Sequence, residues 1–370
     1  MTNKAIELKP DLIYAQVNLG GIYKDLGKLD QALASTLKSL ELKPGNPDAH
    51  MNLGGIYKDL GNLDQALKSL SEASKSEKNR RKALMAFAEI CYYNRFYNKG
   101  IDAISELNNR SAQNLLLSLH LCLDEKLKFN QCAHNLISKQ WLDERGVAAI
   151  DHANILYHQE LENGLSTSTL DSILTQTINK EEFPDALMEE ILMDLSNETF
   201  QTRQQGHLTN GQQTSGNILD IHKNAYKELK KLLIQKIDAY NQSSNGNTEK
   251  DFKSNWEKNM YLLRGWAIIM SEGGNLKSHN HEKGWLTGTF YLQMPERNLN
   301  QEEGAIEFSH KGPNYPEGAS TFPTRIIQPE SRDLNIFPSS LFHKTLPFKG
   351  EKQRICVAFD VQRNENHWQE

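Results

Sequence analysis

Long apolar runs are missing from this chain. No stretch of 18 apolar residues occurs in its 370 positions, so no transmembrane helix is expected. Met1-Thr2-Asn3-Lys4 leads into a polar helical pattern without the apolar segment of a secretory signal. Cysteine is scarce. The four residues Cys91, Cys122, Cys132 and Cys356 form no C-x-x-C pair and no disulfide-scaffold density, so reduced thiols in a cytoplasmic compartment are the expectation. An excess of one charge is lacking too: 42 basic residues stand against 47 acidic ones, net −5, scattered rather than blocked. That balance argues against nucleic acid as a partner, and nothing points to a membrane partner. The length suffices for two or three domains, each with its own core.

What is present begins with repetition. Asn18-Leu19-Gly20-Gly21-Ile22-Tyr23-Lys24-Asp25-Leu26-Gly27 returns as Asn52 to Gly61, an offset of 34, and Leu29-Asp30-Gln31-Ala32-Leu33 returns as Leu63 to Leu67. Ala5 to Pro10 matches Ser39 to Pro44 at the same offset. The pattern resembles the tetratricopeptide repeat, a helix pair per unit, stacked into an α-solenoid. Gly20 and Gly54 are expected to let paired helices approach, Gly27 and Gly61 to end the first helix of each pair, and Ala32 and Ala66 to fill the contact within a pair. A third, degenerate copy carries Phe87-Ala88 in place of Leu-Gly and Gly100 in place of the packing Ala, with Arg95 where the turn glycine stood. The leading segment, a lone second helix, is expected to cap the stack. Lys24 and Lys58 recur on successive units and are candidates to grip acidic partners, a solvated helix face being the plainer reading.

Residues 1–107 are therefore read as the repeat array and 108–200 as a helical connector, on the helical spacing of Leu115-Leu116-Leu117-Leu119-Leu121 and Ile150-Ile155-Leu156. His120, His134, His152 and His158 are lone residues there, expected to be structural or exposed. From 201 to 365 the period changes. A long helix over about 218–240 precedes strand-like runs at 261–269, 287–293, 305–308, 325–328, 334–337 and 354–360. Turn signals separate them, Gly273-Gly274 and Pro295 among them. Many short strands after one helix point to a jelly roll. The fold class is thus multidomain α + β.

The chemistry lies in Ser278-His279-Asn280-His281-Glu282, followed 62 residues after His281 by His343 and 11 further on by Arg354. Two histidines at i, i+2 on a strand point the same way, and a distant third could close a face around a transition metal. A strand arginine alternating with Ile355, Val357 and Phe359 needs an anion if it faces a barrel interior. The plainer reading pairs it with a structural carboxylate.

This stretch resembles the 2-oxoglutarate/Fe(II)-dependent dioxygenases, a double-stranded β-helix family, and within it a bacterial branch with H-x-H where most members carry H-x-D. The resemblance covers roughly residues 200–363. It rests on His279-Asn280-His281, on Gly288-Thr289-Phe290-Tyr291-Leu292, on Ile336-Phe337-Pro338-Ser339 with Leu341-Phe342-His343, and on Arg354-Ile355-Cys356, where Cys replaces a usual Ser. It implies Fe(II) and 2-oxoglutarate as cofactors, O₂ as co-reactant, metal ligands His279, His281 and His343, and Tyr291 and Arg354 as anchors of the cosubstrate's far carboxylate. It further implies oxidative decarboxylation to succinate and CO₂ with hydroxylation of a C–H bond. The usual carboxylate position holds His281. Strand alternation favours three histidines, and Glu282 swinging in as the acid is the other reading. Trp285, Arg264, Glu307 and His310 are candidates to line a substrate mouth, with 310–316 as a candidate lid. The repeats suggest a peptide or protein substrate or partner. Two other classes stay open: a non-catalytic repeat scaffold whose barrel lost its chemistry with the acid, and a cupin-like three-histidine metalloenzyme that uses no 2-oxoglutarate.

Overall fold

Asparagines start two of the repeat helices. In the computed structural model, which describes residues 13–162, 170–197, 200, 202–203, 206–243, 261–296 and 301–363, α1 (Ile13–Asp25) and α2 (Leu29–Leu42) form one pair, α3 (Pro47–Asp59) and α4 (Leu63–Ser74) the next. Asn46 accepts hydrogen bonds from the Asp48 and Ala49 amides with Pro47 at the first helical position, and Asn62 accepts from Gln65; each satisfies N–H groups that the helix itself leaves free. The third pair is α5 (Glu77–Tyr93) with α6 (Tyr97–Ile104), and α7 (Arg110–Cys122) follows. The segment expected to cap the array, Ala5 to Pro10, lies outside the described residues.

The two repeat glycines do different work. Gly27 and Gly61 adopt φ of 70° and 76° and turn the chain between paired helices; at the equivalent place Arg95 takes φ 63°, a left-handed conformation that costs a non-glycine residue roughly 1–2 kcal/mol. Gly54 instead marks a close approach, since a Cβ there would lie 2.7 Å from both Cγ and Cδ2 of the buried Leu70. Gly54→Ala is expected to destabilise the array by about 1–3 kcal/mol through overpacking, read as a lower urea midpoint of the repeat unit.

The chain divides into two compact units, 1–125 and 126–370. The second opens with α8 (Lys126–Ser138) and α9 (Glu144–Tyr157). Within the stretch read as purely helical there is also a strand, β1 (Leu174–Thr177), before α10 (Asp185–Ser196). Two further strands, β2 (Thr202–Arg203) and β3 (Leu208–Thr214), precede α11 (Asn224–Ser243), which begins six residues later than the sequence pattern suggests because a 3₁₀ turn occupies Ile218–Asp220.

The remaining strands are β4 (Tyr261–His279), β5 (Gly284–Gln293), β6 (Ile306–Ser309), β7 (Thr324–Ile327), β8 (Asp333–Pro338), β9 (Phe342–Thr345) and β10 (Arg354–Arg363). They form one curled antiparallel sheet in the order β1-β8-β5-β10-β4-β9-β6-β7, with β3 also beside β4. β4 makes the curl. Its first half pairs β10 from Tyr261 to Met270, and its end pairs β9 through Leu276 and His279. Gly273-Gly274, expected as a turn, lies inside this strand. Gly273 at φ 73° bends it, with a register shift in the ladder beyond, and does not end it. The result is the jelly-roll fold expected from the sequence.

Strand alternation divides the sheet into two chemistries. One face carries Ala267, Ile269, Phe290, Leu292, Leu334, Ile336, Val357 and Phe359. They pack on Ala225, Tyr226, Leu229, Leu233 and Ile237 of α11, at helical spacing, to give the largest core. The other face runs in rows: Asp360 opposite Thr287, Thr287 opposite Phe337, Cys356 opposite Tyr291, Met270 opposite Arg354. That inner face holds the polar residues.

Candidate metal centre

Three imidazoles converge where β4 ends, where the chain leaves it, and where β9 begins. His279 is the last residue of β4, and its Cα partner across the ladder is His343. His281 lies two residues on, past the strand, where its amide donates to the Ser339 carbonyl. The side chains meet although only one of the pair is on a strand. One ring nitrogen from each residue lies within 4.8 Å of the other two. The ring centroids are 4.4 Å apart for His279 and His343 and 5.2 Å for each pair with His281.

Hydrogen bonding at the far side of each ring fixes what the near side offers. His279 Nδ1 is 2.8 Å from the Lys277 carbonyl, His343 Nδ1 is 3.1 Å from the Leu341 carbonyl, and His281 Nδ1 is 2.7 Å from Asp360 Oδ1. Carbonyl and carboxylate oxygens only accept, so Nδ1 carries the hydrogen in all three rings and each Nε2 presents a lone pair. His281 Nε2 and His279 Nε2 face each other at 3.3 Å, two acceptors with no hydrogen between them unless a ring is protonated. Burial and the His281 imidazole push His279 down to about 3. Burial and the two neighbouring imidazoles push His343 well below the ordinary histidine range. The arrangement thus suits a cation and disfavours a proton.

Glu282 does not turn toward this cluster. Its carboxylate is paired with the buried Arg145 of α9. The ring of His207 stacks on His279 (5.7 Å, 11°) and that of Trp266 on His281 (5.9 Å, 17°), so two planar side chains flank the site.

A second polar feature lies on the same inner face. Arg354, only 2% exposed, starts β10 opposite Met270. Its Nη2 donates to the Tyr291 hydroxyl at 3.4 Å, its Nη1 leans on Met270 Sδ and Cys356 Sγ, both at 3.7 Å, and its Nε has no partner. Sulfur is a weak acceptor, and no carboxylate among the described residues pairs with this guanidinium. The structural-carboxylate alternative is absent here. Tyr291 is fully buried, with its hydroxyl pushed up to about 12 by burial. Asn335, also fully buried, lies close enough to influence that hydroxyl, yet neither its amide nitrogen nor its oxygen has a well-formed hydrogen bond. An unpaired buried cation beside a tyrosine and an unsatisfied amide fits a dicarboxylate anion.

The four candidates for a substrate mouth separate. Trp285 is buried on the strand face of Thr287, and Arg264 is exposed on β4 opposite Asp360. Glu307 is turned away: Phe308, its neighbour on β6, packs toward His343, while Glu307 pairs with Lys344 at 2.9 Å on the opposite face. His310 stays outside the cluster, 3.8 Å from Asp151 of α9 and pushed down to about 4 by burial and His152. The expected lid is pinned. His152 Nδ1 accepts from the Gly312 amide at 3.1 Å, its Nε2 donates to the Pro316 carbonyl at 2.8 Å, and its ring stacks on Phe322 at 4.4 Å. His152→Ala would leave the buried Gly312 amide and the half-buried Pro316 carbonyl unpaired and cost about 2–4 kcal/mol. Tryptic cleavage after Lys311 is expected to rise at least tenfold.

Two family models match parts of the chain. Residues 264–360 match the family model described as "Putative 2OG-Fe(II) oxygenase", and residues 25–88 match the tetratricopeptide repeat. No curated protein matches the chain. Among solved structures it is similar to a prolyl-4-hydroxylase of Pseudomonas putida, at 13% identity over 58% of this chain and 99% of that one, with TM-score 0.40. It is also similar to HygX of Streptomyces hygroscopicus, solved with nickel and 2-oxoglutarate, at 13% identity over 55% and 88%, TM-score 0.37. PilF of Pseudomonas aeruginosa is similar at 15% identity over 40% and 69%, TM-score 0.33.

Proposed function

We propose that this chain, whose C-terminal part is a 2OG-Fe(II) oxygenase domain and hence a dioxygenase using Fe(II) and 2-oxoglutarate, hydroxylates a C–H bond of a peptide or protein substrate. The observation that carries the site assignment is the pair of facing Nε2 lone pairs at 3.3 Å beside His343. His279, His281 and His343 would hold the iron, and Arg354 with Tyr291 would hold the far carboxylate of the cosubstrate. Iron with 2-oxoglutarate, when bound, supplies dioxygen activation coupled to oxidative decarboxylation.

The chain's own residues do the rest. The three Nδ1–H anchors fix the rings in the tautomer that ligates. Phe308 and Phe337 pack on His343 and keep that side of the site dry. Arg354 gives a dicarboxylate its orientation, because a guanidinium in an apolar wall binds one anion strongly and has nowhere else to discharge. The tetratricopeptide repeats on the same chain support a protein or peptide as substrate or partner, and we place the array at 1–107, the connector at 108–200 and the oxygenase domain at 201–365. The balanced charge and the reduced cysteines support a cytoplasmic enzyme.

Anaerobic titration of the full chain with Fe(II) and 2-oxoglutarate is expected to give a saturable visible charge-transfer band. Iron bound without a band would overturn Arg354 and Tyr291 as cosubstrate anchors, and absence of bound iron would overturn the three histidines. Admission of O₂ with a peptide pool should then release succinate and yield peptides heavier by one oxygen atom. Stimulation by small metabolites only would sink the peptide assignment.

A further inference from the structure

We propose that Asp360 is the positioning residue of the metal centre, the carboxylate that balances three neutral histidines from one hydrogen bond behind His281. The inference rests on the three-histidine reading above. Alternation along β10 puts Arg354, Cys356, Ala358 and Asp360 on one face. The strand therefore carries an unpaired cation at one end and a carboxylate at the other, both turned inward.

Asp360 is buried, and its partners are few. Oδ1 accepts from His281 Nδ1 at 2.7 Å and from Thr287 Oγ1 at 2.9 Å. The Thr287 hydroxyl has one hydrogen and gives it to Asp360, so the contact with Ser339 Oγ at 2.8 Å runs the other way, Ser339 donating to Thr287. Donation thus converges on Asp360, from Ser339 through Thr287 on one side and from His281 on the other. Space around it is tight: a Cβ on Gly284 would lie 2.6 Å from Ser339 Oγ and 3.4 Å from the Asp360 carboxyl carbon. Arg264 is the cross-strand neighbour of Asp360, yet it is exposed and makes no ion pair with it. Among the described residues no lysine or arginine compensates this carboxylate.

A buried carboxylate held by an imidazole N–H and a hydroxyl is an incomplete electrostatic unit. A divalent cation on His281 Nε2 completes it. The tally of charges then equals that of two histidines and one coordinating acid, with the acid moved one imidazole outward. A carboxylate behind a ligating histidine also orients the ring and raises its basicity. This accounts for how a chain with His281 in the usual acid position can hold a divalent metal, and it gives a prediction opposite to intuition. His281→Asp, which restores the usual ligand set, puts a second carboxylate against Asp360 and is expected to weaken metal binding.

The test uses Co(II) as probe, titrated anaerobically into the full chain against a chromophoric chelator, with the d–d spectrum recorded. Asp360→Asn keeps an acceptor for His281 and removes only charge; it should lower Co(II) affinity about 10–100-fold with the unfolding transition retained. His281→Asp alone should bind more weakly than the starting protein, and His281→Asp/Asp360→Asn should recover at least tenfold over His281→Asp. Unchanged affinity in Asp360→Asn overturns the proposal, as does a double variant no better than His281→Asp. A starting protein that takes up no Co(II) overturns the metal reading itself and this inference with it.

Discussion

Arg354→Met is expected to make the ligand-free C-terminal unit more stable and to abolish 2-oxoglutarate binding in the same protein. The two effects have one cause. Arg354 is buried beside Met270, Tyr291 and Cys356, and among the described residues its only polar contacts are a tyrosine hydroxyl at 3.4 Å and two sulfurs at 3.7 Å. Taking a guanidinium out of water costs several kcal/mol, which neither contact returns. Methionine is close in length, lacks the charge, and suits a wall already made of sulfur and aliphatic carbon. Replacing buried charge by well-packed apolar groups stabilises by about 1–4 kcal/mol, a rise of several degrees in the unfolding midpoint of a unit this size.

Binding should change in the opposite sense. Starting protein is expected to gain thermal stability with added 2-oxoglutarate, by about 2.7 kcal/mol at a hundredfold excess over Kd. Arg354→Met should gain none, a loss of affinity of at least about 100-fold, as follows from removing charge-assisted hydrogen bonds worth about 1.5–3 kcal/mol each. Metal uptake should be unchanged, because Arg354 makes no contact with the three histidines. A variant that keeps its 2-oxoglutarate-dependent shift would show that the anion is held elsewhere. One that is less stable without ligand would show that the guanidinium has a structural partner.

How much of this was legible in the sequence follows from where each signal lives. His279, His281, His343, Tyr291 and Arg354 stand out as candidates in the sequence because the spacing of motifs survives without knowledge of pairing. Asp360 does not stand out in that way, although its pattern is in the sequence. Once Ile355, Val357 and Phe359 are read as one face of a strand, Cys356, Ala358 and Asp360 share the other face with Arg354. The acid next to the histidines in sequence is Glu282, and it pairs with Arg145 instead. That pairing spans 137 residues, and the pin between His152 and the 310–316 loop spans 160 or more; no local pattern reports such contacts. Glu307 went to the wrong face because its orientation depends on the ladder between β6 and β9, not on its neighbours alone. Gly273-Gly274 misled in a different way. Glycine at positive φ marks a turn or a bulge with equal ease, and only the ladder on either side tells which.

His343→Ala is expected to abolish metal binding and to leave a chain whose stability no longer responds to chelators. His343 is the most buried of the three candidate ligands, wedged between Phe337 at 4.9 Å and Phe308 at 6.0 Å, with Nδ1 tied to its own strand entry at Leu341. It is also the candidate ligand that comes from the other side of the curl, so without it the two remaining imidazoles belong to one short segment and close no face. Loss of a mere outer partner of a ligand costs about 10–100-fold in affinity; loss of the ligand itself should exceed that, taking Co(II) or Fe(II) uptake below detection at micromolar protein. The stability readout separates ligation from packing. Three lone pairs held together in a buried site oppose one another until a cation arrives, so the starting protein should lose several degrees of unfolding midpoint when stripped by a chelator. His343→Ala lacks one of those lone pairs and gains a cavity against the two phenylalanines, so its midpoint should be lower than that of the metal-loaded protein yet identical with and without chelator. A variant that still responds to chelator would place the metal on some other set of residues, and a starting protein indifferent to chelator would mean that the three imidazoles are held together by packing alone.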